Sequence, residues 1–133
     1  MATPFQPIPN DLNELSRVIV DCALRVHRTL GPGLLESTYR QCLVHELNKQ
    51  HVSVQAEVAL PILYDGLLLE SGYRMDLLVN DAIVVELKAV DDLLAIHRAQ
   101  LLSYLKHSGK RLGLLINFNS VLLKDGICRL INK

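Results

Sequence analysis

From residue 11 the apolar positions recur at helical intervals. Leu15, Ile19, Cys22 and Val26 are spaced by four, three and four, which lines them along one face of an α-helix. Gly31-Pro32-Gly33 ends that helix, and residues 34–50 begin another with Leu35, Tyr39, Leu43 and Leu47 as its stripe. After Gln50 the period falls to two: Val52, Val54, Ala56, Val58 and Leu60 share one face of an extended segment over 52–64. Asp65-Gly66 marks a hairpin turn into 67–70, a strand follows over 73–79, and Asn80-Asp81 reads as a two-residue turn into a strand over 82–89. Asp91-Asp92 is expected to open and cap a third helix that runs to about Ser108, with Gly109 closing it. Residues 112–118 are nearly all apolar, as in a strand covered on both faces and often paired in parallel. Residues 121–131 supply an edge strand. Residues 1–10, which hold three of the five prolines, read as an extended arm before a single domain over 11–133. The order α-α-β-β-β-α-β-β predicts an α/β protein, a small sheet with helices packed against it.

Composition narrows the function. Hydrophobic residues make up 50% of the 133 and the mean hydropathy is +0.23, which is apolar for a small soluble chain. A subunit interface would bury part of that excess, so a homodimer is expected. Lys plus Arg and Asp plus Glu number 14 each, so no global positive field supports bulk coating of nucleic acid, although a local basic groove remains open. The one basic patch, Lys106, His107, Lys110 and Arg111, lies near a helix C-terminus, where cations are favoured in any case. The three cysteines show no C-x-x-C spacing and read as reduced thiols. Cys42 and His45 share a helical face, but no second pair completes a zinc site. No apolar run reaches membrane-spanning length, and no basic segment leads into an apolar one at the N-terminus, so no membrane association and a cytoplasmic location are expected.

The chemistry concentrates in one strand. Glu86 and Lys88, two apart, project from the same face of the apolar run Ala82-Ile83-Val84-Val85-Glu86-Leu87-Lys88, while Val85 and Leu87 face a core. Asp76 sits among apolar neighbours on the preceding strand and needs a neutralising partner. A two-residue turn at Asn80-Asp81 would pair Val79 with Ala82 and set Asp76 opposite Val85, on the wrong face for Glu86 unless a bulge or a twisted strand end intervenes. An E-x-K triplet alone is weak: roughly 0.5 are expected by chance in this length, and a structural ion pair would explain one. On the next helix His97, Gln100 and Tyr104 fall on one face beside the stripe Leu94, Leu101 and Leu105, as on a half-exposed amphipathic helix or a binding surface. Glu36 lies in the first turn after the Gly-Pro-Gly break, where the helix dipole favours an acid, and Tyr39, one turn on, suits a core position.

In this order the motifs resemble the GxxExxY protein family, a branch of the PD-(D/E)XK nuclease-like superfamily. Gly33-x-x-Glu36-x-x-Tyr39 matches the naming motif. Asp76 with Glu86-x-Lys88 is similar to the superfamily's acidic pair and lysine, Gln100-x-x-x-Tyr104 to a signature of its exonuclease-like branch, and 113–118 to a further family segment. The resemblance spans about residues 11–131. One departure is Met75, where the superfamily often has proline before the acid. The resemblance implies a restriction-endonuclease-like core with a mixed central β-sheet flanked by helices, and a bend in the strand carrying Asp76 that brings it to Glu86. It further implies that Glu36, Asp76 and Glu86 converge on Mg²⁺ or Mn²⁺. Lys88 would orient the attacking water or steady the phosphate charge, with Gln100, Tyr104, His97 and Tyr39 toward nucleic acid. The implied activity is metal-dependent phosphodiester hydrolysis. The alternative is a catalytically silent module on the same scaffold, acting in dimerisation or in protein or nucleic-acid binding.

Overall fold

The computed structural model describes residues 8–70 and 72–133. The expected arm over 1–10 thus lies largely outside the described residues. Helix α1 (Asn10–Leu30) buries Ile19, Cys22 and Val26, the stripe the spacing predicts. Pro9 precedes it, and no Asn10 or Asp11 side chain caps it. Helix α2 (Glu36–Lys49) buries Tyr39, Leu43 and Leu47, whereas Leu35 falls before the first turn and is exposed.

The segment expected as one strand over 52–64 is two. β1 (Val54–Ala59) belongs to the main sheet and β2 (Ile62–Tyr64) to a separate hairpin with β3 (Leu67–Leu69). Pro61 stands at the break, where its missing N–H cannot continue a ladder. Then follow β4 (Arg74–Val79), β5 (Ile83–Lys88), helix α3 (Ala95–Ser108), β6 (Leu112–Asn117), a 3₁₀ turn (Leu123–Gly126) and β7 (Ile127–Ile131). The main sheet runs β1-β4-β5-β6-β7. β5 and β6 are parallel, as the unbroken apolar run of β6 predicts, and every other pairing is antiparallel. The protein is therefore an α/β fold of the restriction-endonuclease-like kind, with a five-stranded mixed sheet flanked by helices.

Strand alternation makes two cores. Leu77, Val79, Ile83, Val85 and Leu87 face α1 and α2. Leu78, Val84 and Leu115 face the other way, against Leu101, Tyr104 and Leu105 of α3. Gly113 lets α3 approach closely, since a Cβ there would lie 3.0 Å from the Leu101 side chain. Among the described residues no helix is long and apolar enough to cross a membrane.

Helix α3 starts at Ala95, not at Asp91 as the acids suggested. Residues 89–94 are held as a strap by buried Asn117, whose amide donates to Val90 O at 2.8 Å and accepts from Val90 N at 3.1 Å. With Val90 satisfied outside a helix, Asp91 and Asp92 are left as exposed loop residues. Asn117→Ala should lower stability in urea unfolding by about 1–3 kcal/mol, the cost of the orphaned strap groups.

Candidate active site

The β4–β5 turn decides how the acids meet. Ala82 N donates to Val79 O at 2.9 Å, and Asn80 and Asp81 both take positive φ, as a two-residue turn requires. The ladder nevertheless resumes at Val79↔Ile83, followed by Leu78↔Val84 and Leu77↔Val85. Ala82 is therefore an extra residue in the turn, and the register differs by one from the simple reading. Continued one rung, it sets Asp76 level with Glu86 on the face that carries Leu78 and Val84.

At that rung side chains replace the main-chain ladder. Asp76 N donates to Glu86 Oε1 at 3.1 Å, and Leu87 N donates to Asp76 Oδ2 at 2.8 Å. On the other side, β1 pairs with β4 at Ala56↔Leu77 and Val58↔Met75 but not through Glu57, which sits at φ 52. The strand is thus open on both sides at Asp76, and the two carboxyls satisfy the donors that the opening would strand. Each commits one oxygen to a backbone N–H.

Glu86 is 4% exposed. Burial first, and then the Asp76 charge beside it, push its pKa up to about 9, while Lys88 opposes the shift weakly. Lys88 follows on the same face, half-buried. Its ammonium makes no direct ion pair with either acid among the described residues, so the arrangement is not the buried ion pair that could have explained the triplet. Tyr104 of α3 faces the pair: desolvation, followed by the charges of Glu86, Asp76 and Tyr73, raises its pKa.

The remaining predicted residues divide by location. Gln100 is exposed on α3 and shares with Tyr104 a cleft of about 290 Å³. His97 turns to its own helix start, where Nδ1 accepts Leu94 N at 2.9 Å. Tyr39 is fully buried; its ring stacks on Phe118 at 4.6 Å. The hydroxyl donates to Gly31 O at 2.6 Å and accepts from Leu34 N at 3.1 Å, closing the Gly-Pro-Gly loop in which Gly33 sits at φ 102. In this position Tyr39 cannot touch a substrate. Glu36 opens α2 and is exposed, and α2 packs its core residues on the sheet face opposite the one that carries the acid pair. Among the described residues no three His, Cys, Asp or Glu side chains cluster to hold a metal, so the structure brings Asp76 and Glu86 together without Glu36. Tyr73 also lines the cleft with Tyr104; its only signal in the sequence is a polar aromatic just before the strand that carries Asp76.

Residues 13–130 match the sequence profile of the PD-(D/E)XK nuclease superfamily. The chain belongs to that superfamily. No curated protein and no solved structure matched it.

PD-(D/E)XK nucleases generally use a divalent cation, and the acid pair fits one. Mg²⁺ is held by one or two carboxylates with water and phosphate oxygens completing its shell. Asp76 and Glu86 each keep an oxygen free of the backbone bonds, and their mutual repulsion is what a cation would relieve.

Two outcomes test this geometry. Glu86 binds its proton more tightly folded, at about 9, than unfolded, at 4.5. Its contribution is complete below the lower value and is lost as pH rises through the upper one. Glu86→Gln, which mimics the protonated acid, should therefore raise the metal-free melting temperature more at pH 8 than at pH 5 in differential scanning calorimetry. Tyr39→Phe should cost about 1–3 kcal/mol in urea unfolding, because Leu34 N and Gly31 O lose their partner.

Proposed function

We propose that this chain is a divalent-metal-dependent phosphodiesterase that hydrolyses nucleic-acid phosphodiester bonds. The observation that carries the reading is the acid pair Asp76 and Glu86, level on one rung, with the ammonium of Lys88 on the same face and Tyr104 nearby on α3. Mg²⁺ or Mn²⁺ held by Asp76 and Glu86 would offset the phosphate's charge and acidify a bound water. Lys88, in no direct ion pair with either acid, is suited to orient that water or to meet charge developing on the phosphoryl oxygens. Gln100 and Tyr104 present hydrogen-bonding groups toward the substrate side. Glu36 is given no ligand role in this reading, since no three such side chains cluster among the described residues.

Asp76 separates the chemical role from the structural one. Asp76→Asn retains an acceptor for Leu87 N, so it should unfold close to wild type, whereas Asp76→Ala should lose about 1–3 kcal/mol. Both should abolish Mn²⁺ binding in calorimetry. Lys88→Ala should retain metal affinity and lose about 100-fold or more in cleavage, assayed on single-stranded, duplex and branched DNA and RNA. Equal behaviour of wild type and Lys88→Ala on every substrate would sink the catalytic reading. Failure to bind either metal at millimolar concentration would replace it with the silent binding module.

A further inference from the structure

The cleft beside Tyr104 has a second wall that the metal chemistry does not use. Ile62 and Leu69 of the β2–β3 hairpin, with Tyr73 after it, face Gln100, Tyr104 and His107 of α3. Resting on the nuclease reading above, we propose that this cleft seats an unpaired nucleobase next to the acid pair, so that the substrate is single-stranded or frayed nucleic acid.

The chemistry of the walls selects that occupant. A wall of Ile62, Leu69 and the Tyr73 ring offers a phosphate at most one hydroxyl donor, whereas it matches the face of a base, which stacks on aromatic side chains whatever its identity. The opposite wall offers an amide at Gln100 and an imidazole at His107, hydrogen-bonding groups suited to a base edge. A space of about 290 Å³ lies at the small end of ligand sites and takes one flat ring system. A duplex would need a long basic track, and the one basic cluster in the sequence is the short run Lys106, His107, Lys110 and Arg111 at the end of α3 and just after it.

The hairpin extends the same surface. Register pairs Ile62 with Leu69 and Tyr64 with Leu67, so these four share one face. Tyr64 is 71% exposed and Tyr73 49%. Of the four tyrosines, Tyr39 is in the core and the other three stand on the cleft or on the hairpin face that continues it. Two apolar strands outside the main sheet are marginal in water, and stacked bases would cover them. Tyr104 belongs both to the cleft and to the surroundings of Glu86 and Asp76, which places a seated base beside the phosphate those acids would handle.

The test is fluorescence anisotropy in EDTA, with labelled single strands of roughly 10 nucleotides and blunt duplexes of the same sequence. Single strands should bind at least tenfold more tightly than duplex. Tyr73→Ala should weaken single-strand binding on the order of tenfold, Tyr73→Phe should retain it because the ring remains, and Tyr64→Ala should weaken it less. Circular dichroism would confirm that these variants, altered at exposed positions, fold. Equal affinity for duplex and single strand, or no effect of Tyr73→Ala, would overturn the proposal. So would a dimer in sedimentation that Tyr64→Ala dissociates, since a second copy would then cover the hairpin. Single-strand binding without cleavage at any metal concentration supports the cleft and refutes only the catalytic reading. Cleavage of both forms alike refutes only the cleft.

Discussion

Two hydrogen bonds, from Asp76 N to Glu86 Oε1 and from Leu87 N to Asp76 Oδ2, hold together a sheet that opens at the same rung. The main-chain ladder between β4 and β5 stops at Leu77↔Val85, and β1 does not pair through Glu57. Without the carboxyls, buried donors would be stranded at the centre of the fold. With them the strands diverge at little cost, and the divergence leaves room for two acids at the end of a buried strand. The opening that makes a site possible and the groups that would work in it are the same residues.

Much of this arrangement was legible in the sequence. Helical spacing placed α1 and α2, and the apolar run at 112–118 indicated a parallel, doubly covered strand. The E-x-K triplet and the nearby acid pointed to residues that do meet, Asp76 and Glu86. The failures have physical causes. A turn hydrogen bond across Asn80-Asp81 does not reveal that Ala82 is an extra residue, so alternation put Asp76 on the wrong face. Asp91-Asp92 has the composition of a helix cap, but Asn117, distant in sequence, had already bound Val90. Pro61 was read within a strand that it in fact divides.

Glu36 and Tyr39 show how a motif can mix roles. Tyr39 fastens the Gly-Pro-Gly loop against Phe118, whose N–H binds Lys88 O at 2.9 Å. Through Tyr39 the motif thus buttresses the end of β5 from one face of the sheet, while the acids and Lys88 lie on the other. Spacing along the chain cannot show that α2 packs on the face opposite Asp76 and Glu86, because that depends on which helix packs against which face.

Lys88 differs from the acids in one respect with a longer reach. Asp76 and Glu86 serve the backbone, so selection for folding alone would keep an acceptor at both positions. The Lys88 side chain makes no direct ion pair with either acid among the described residues, and a weak charge interaction with Glu86 is what ties it to them. A copy of this chain selected for folding alone would drift at position 88 first while keeping both acids for the backbone bonds they accept. Retention of lysine at that position, more than of either acid, would therefore mark selection for something beyond the fold.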